Sequence, residues 1–79
     1  MAADNRVGDL VKDWRNGQVA EVIAVDDEAE RLTVARPSGI TWDTDDKACR
    51  PATDRERKGF AFVQRAVLEA AAQCKRALP

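Results

Sequence analysis

The chain has 79 residues, of which 44% are hydrophobic and 34% charged, with a formal net charge of −1 and no histidine. That length supports one hydrophobic core rather than two, and the apolar fraction is too high for a disordered chain. The lack of histidine removes the usual general base and the commonest metal ligand, which favours binding over catalysis.

No apolar run reaches the length of a membrane span, and Met1 to Asp9 has neither the basic segment nor the apolar stretch of a signal peptide. A cytosolic protein with no membrane partner is expected. In that reducing compartment Cys49 and Cys74 should remain free thiols, each behaving as a small buried hydrophobe. Charge is unevenly spread. Residues 1–53 hold seven Lys/Arg against eleven Asp/Glu, a net −4, and residues 54–79 hold six against three, a net +3. The two halves thus complement each other, within one molecule or between two.

In chain order, Val7 to Lys12 reads as a first strand entered through a Gly8-Asp9 turn. Asn16-Gly17 then signals a tight two-residue turn of the type that needs positive φ at both central positions. Gln18 to Val25 is apolar on both faces, Val19, Ile23 and Val25 alternating with Ala20, Val22 and Ala24, which predicts a strand covered on both sides. The acidic run Asp26 to Glu30 is a solvated hairpin loop, and Arg31 to Arg36 forms a strand with Leu32 and Val34 on one face. Pro37-Ser38-Gly39 turns the chain into a fourth strand in which Ile40 and Trp42 share a side. Thr44-Asp45-Asp46 suits a cap or a single helical turn, and Ala48-Cys49-Arg50 a last short strand before Pro51.

Thr53 and Glu56 form a capping box, and no proline follows until Pro79. Phe60, Val63, Val67, Ala71, Cys74 and Leu78 make a helical apolar stripe, widened by Phe62, Ala66 and Ala70. A helix over 54–78 would be roughly 36 Å long, more than one side of a small sheet covers. Its first half should close the sheet through Phe60, Val63 and Val67, and its second half should project. The fold class is mainly β with one helix: a single domain over 1–79, with a bent meander of four to five strands before the helix.

The order Gly8-Asp9-Leu10-Val11, Val19-Ala20-Glu21-Val22, Trp42 in the fourth strand and Arg50-Pro51-Ala52 resembles small actinobacterial SH3-like-barrel proteins, of the same general form as KOW and Tudor-type modules. The resemblance covers residues 7–53, about three fifths of the chain. It implies a small SH3-like antiparallel barrel that serves as a binding module, and it brings no activity and no functional residues with it.

Few residues of the chain offer catalytic or metal-binding chemistry. Ser38 sits in a turn without a base, the cysteines form no C-x-x-C pair, and no phosphate-binding glycine loop occurs. Asp43, Asp45 and Asp46 have the D-x-D spacing of calcium loops but not the glycine or bidentate glutamate, so they read as a solvated turn. No catalytic residue, metal or cofactor is expected. Trp42 is most simply core, whereas Trp14, flanked by Asp13 and Arg15, is either core or an exposed recognition residue. With no tyrosine in the chain, an aromatic cage for methyl-lysine is disfavoured.

The function expected is therefore a non-catalytic protein-interaction module or small accessory protein. Trp14, Ala70, Ala71, Cys74 and Leu78 are its candidate partner-binding residues, and a second copy of the chain is one candidate partner. The runner-up is a nucleic-acid- or ribosome-associated protein of KOW-like type using Arg55, Arg57, Lys58 and Arg65. The acidic sheet half counts against it, because phosphate binding relies on neutralising cations.

Overall fold

A computed structural model of the chain describes residues 3–77, with side chains through Gln73. Five strands, β1 (Leu10–Asp13), β2 (Gln18–Asp26), β3 (Arg31–Ala35), β4 (Thr41–Asp45) and β5 (Cys49–Pro51), form one antiparallel sheet in the order β4-β3-β2-β1-β5. A 3-10 turn, Asp46–Ala48, joins β4 to β5, and helix α1 (Asp54–Ala77) follows. The mainly β architecture with one helix is as the sequence predicts. Closure is not: β4 and β5 are the two edges of an open sheet.

Three local expectations are corrected. The first strand begins at Leu10 rather than Val7, since Val7 is exposed and Gly8, at φ 95°, turns the chain before it. The β1–β2 connection has four residues, not two, because Asp13 pairs with Gln18 and the Gly17 amide donates to the Asp13 carbonyl at 2.8 Å. Only Gly17, at φ 68°, needs the left-handed region there. Nor is β2 buried on both faces. A bulge between Val22 and Ala24 inserts one residue, so Val22 and Val25 both turn inward while Ile23 and Ala24 are exposed.

The core is small. Ala3, Val11, Ala20, Val22, Leu32 and Val34 are buried together, with Val25, Trp42 and Cys49 packed at the edge. Trp42 is thus half-buried core. Ile40, which the alternation placed beside it, precedes the strand and is exposed.

Carboxylates finish what apolar side chains leave open. Asp46 is buried and accepts hydrogen bonds from the Asp4 and Asn5 amides, at 2.9 and 3.0 Å, and from Asn5 Nδ2 at 2.8 Å. Asp27 accepts from the Ala3 amide and from Arg6 Nη1, both at 3.0 Å. These two residues, expected as solvated loop positions, strap residues 3–6 across the end of the sheet and hold Ala3 in the core. Burial pushes the Asp46 carboxyl up in pKa, but its three donors outweigh that and hold it below the ordinary value.

Helix α1 starts as predicted. The Thr53 amide donates to Glu56 Oε1 at 2.9 Å, and the Glu56 amide to Thr53 Oγ1 at 3.2 Å, closing the capping box. Lys12 and Leu10 point away from the core face occupied by Val11, and Lys12 Nζ lies 3.5 Å from Glu56, so the first turn lies against the outer face of the sheet. Ala52 and Phe60 are buried at this junction, apart from the main cluster. Val63 and Val67, expected to close the sheet, are each 37% exposed: the helix has begun to leave it. With 24 residues, α1 accounts for a molecule 52 Å long but only 26 and 19 Å across.

Phe60 is 5% exposed and Phe62 77%, so the two phenylalanines should respond oppositely to truncation. Phe60→Ala is expected to cost about 3 kcal/mol in chemical denaturation. Phe62→Ala should stay within about 0.5 kcal/mol of the parent.

Candidate functional site

Two exposed regions stand out, at opposite ends of the helix-sheet junction. The first is the β1–β2 loop. Trp14 is 69% exposed there, which settles its place as a surface residue. The Arg50 guanidinium, from β5, lies over its ring at 5.9 Å from the centroid, within cation–π range. Arg50 is itself held by Glu56, at 3.1 and 3.3 Å to the two carboxylate oxygens. Trp14 therefore sits on a guanidinium fixed by the helix cap.

Beneath this loop Asp13 is buried. It accepts from Trp42 Nε1 at 2.9 Å and from the Arg15 amide at 2.9 Å. Burial raises its pKa, and the bonds from Trp42 and Arg15 more than reverse that, leaving the carboxyl below its ordinary value. The Thr44 hydroxyl is buried without a hydrogen bond of ordinary geometry, yet it faces both Asp13 and Cys49 and helps lower the pKa of each. The Cys49 thiol nonetheless titrates above its usual range, first from burial and then from the nearby Asp13 charge. A thiol so placed is a poor nucleophile.

Asp45 holds two arginines, Arg15 and Arg31, the latter at 2.9 Å, and Asp43 accepts from Thr33 Oγ1 at 2.7 Å. Asp45 is thus committed to the sheet, while Asp43 is bonded to a neutral hydroxyl only. Among the described residues, no group of three or more His, Cys, Asp or Glu stands where it could hold a metal ion.

The second region is α1 beyond Phe60. Ala70 and Ala71 are exposed, continuing the line of Val63 and Val67, whereas the side chains of Cys74 and Leu78 lie outside the described residues. Ala70 is fourteen residues past Glu56, roughly 20 Å along the axis, so Trp14 and the alanines do not form one surface. The cationic residues are exposed but divided. Lys58 and Arg65 share a face with Arg55 close by, while Arg57 lies to the side and directs its Nε toward the Ala52 carbonyl at 3.5 Å.

Sequence reasoning missed Phe62. Counted into the apolar stripe, it instead lies with Lys58 and Arg65, on a face roughly opposite Phe60, Val63 and Val67 at about 100° per residue. The heptad-like spacing of Lys58, Phe62 and Arg65 was the available signal. Arg50 was missed too, since only the fold brings it to Trp14. Among the described residues, no helix is long and apolar enough to cross a membrane.

Compared with family models, curated proteins and solved structures, the chain matches none.

Glu56 is the electrostatic centre of the junction. The Thr53 amide, then the Arg50 side chain, draw its pKa from 4.5 to about 2. A carboxyl with a depressed folded-state pKa contributes stability that is complete above 4.5 and lost as pH falls toward 2. Helicity followed by circular dichroism is expected to fall across that window, and Glu56→Gln should flatten the dependence. Acrylamide quenching should likewise reach Trp14 and spare Trp42, so Trp14→Phe is expected to remove most of the quenchable emission.

Proposed function

We propose that this protein is a non-catalytic protein-interaction module that self-associates through the apolar stripe of α1. The observation that carries the reading is the coverage of the helix. Of the stripe Phe60, Val63, Val67, Ala70 and Ala71, only Phe60 is buried by the sheet. A helix standing largely free in water is marginal, because its hydrogen bonds alone barely offset the ordering of its backbone. Packing the uncovered stripe against that of a second copy would remove it from water, and the small residues Ala66, Ala70 and Ala71 permit close helix approach. Self-association also suits a chain whose own core is as thin as this one.

The order of the sheet supports an SH3-like reading of the β part. Consecutive hairpins run from β1 to β4, and β5 returns to β1, as a strongly bent meander of that form requires. Trp14 on its Arg50 support is a further contact point for a protein partner, and the free Cys49 is consistent with a cytosolic setting. The nucleic-acid alternative has less behind it. Its four cations do not share a face, and the adjoining sheet half carries a net −4.

Sedimentation equilibrium is expected to show reversible self-association of the parent chain, beginning with a monomer–dimer step. Val67→Asp would place a carboxylate in the seam and should raise the dimer dissociation constant roughly a hundredfold. A strictly monomeric parent at high micromolar concentration would overturn the reading.

A further inference from the structure

The face of α1 opposite the apolar stripe is the least expected surface of the molecule. Phe62, 77% exposed, has Lys58 one turn before it and Arg65 one turn after, and the three border a shallow cleft of about 250 Å3. Neither Lys58 nor Arg65 makes an ion pair among the described residues. An aromatic ring between two unmatched cations suits a partner that offers a recess for the ring between two anions.

The sheet carries such a recess. On its outer face a cleft of about 220 Å3 is lined by Ala24, Asp26, Arg31, Thr33 and Asp43, among others. An enclosed space of about 150 Å3 holds a benzene ring, and this open cleft, lined by both apolar and polar groups, is larger than that. Arg31 and Arg15 share the single carboxylate of Asp45, whereas Asp26 and Asp43 accept only from the Ala29 amide and the Thr33 hydroxyl and make no ion pair among the described residues, which leaves the cleft lining net negative. Asp26 on β2 and Asp43 on β4 are two strands and two residues apart, about 12 Å. Lys58 and Arg65 are separated by about 10 Å of helix rise. The spacings match. The chain's own α1 does not reach the cleft, since Phe62 remains exposed.

We propose that the Lys58–Phe62–Arg65 face of α1 seats in the Asp26–Asp43 cleft of a second copy. This contact goes beyond the seam proposed above, using the opposite face of the helix. It joins two different surfaces, so it is heterologous and adds copies beyond a dimer. A nucleic acid would meet the same cations, but the patch spans only about 10 Å of helix and adjoins an acidic sheet.

A charge exchange tests this. Sedimentation velocity of the parent chain is expected to show species larger than a dimer as concentration rises. The double variant Lys58→Glu/Arg65→Glu and the double variant Asp26→Lys/Asp43→Lys should each need a concentration roughly tenfold or more higher to form them. An equimolar mixture of the two should regain them, because each restores the other's missing sign. Phe62→Ser, at an exposed position that leaves the fold intact, should lose them as well. With Val67→Asp added, the exchange should persist, which separates this contact from the seam. A parent that never exceeds a dimer, or a mixture that fails to recover, would overturn the proposal. So would loss of affinity for a single-stranded oligonucleotide in Lys58→Glu/Arg65→Glu with assembly unchanged.

Discussion

Everything beyond the sheet hangs on Glu56. Its carboxylate closes the capping box with Thr53, takes the forked guanidinium of Arg50 from β5, and lies 3.5 Å from the Lys12 ammonium on β1. One side chain therefore ties the helix start to the two strands at that edge of the sheet, and Phe60 one turn later anchors it apolarly. The direction of α1 is set within its first two turns. Because that direction carries the helix off the sheet, the surfaces it displays follow from the same node.

The sheet half solves a different problem. With six buried apolar residues at its centre, of which two are alanine, it has little apolar area to offset the ordering of the chain. Polar groups complete it. Asp46 and Asp27 hold the N-terminal strap in place, and Asp13 ties β1 to Trp42. Buried carboxylates are costly unless their lone pairs are satisfied, and Asp13 and Asp46, the two that are buried, are fed by two and three donors, while exposed Asp27 takes two. The depressed pKa of all three carboxyls is the same fact seen electrostatically.

The sequence was readable where a local rule decides the outcome. The capping box at Thr53 and Glu56 and the Leu32–Val34 alternation rest on spacing alone. Elsewhere tertiary geometry decides. The bulge at Ile23 moves half of β2 by one position, so an in-out pattern looked like a strand apolar on both faces. Asp27 and Asp46 belong to acidic runs that read as solvent-facing, and only the return of residues 3–6 gives them donors. In the helix, the stripe was found, but how much of it the sheet covers depends on the exit angle, which Glu56 and Arg50 fix from across the fold. Phe62 was assigned to the stripe by hydrophobicity although its angular position puts it on the far side.

The most direct test of a helix left uncovered by its own sheet and covered by a second copy is amide hydrogen exchange across α1 at low and high protein concentration. Amides over residues 63–73 should gain protection as concentration rises, while the strands and the turn holding Glu56 and Phe60 stay unchanged. Protection of the distal helix that is independent of concentration would contradict it.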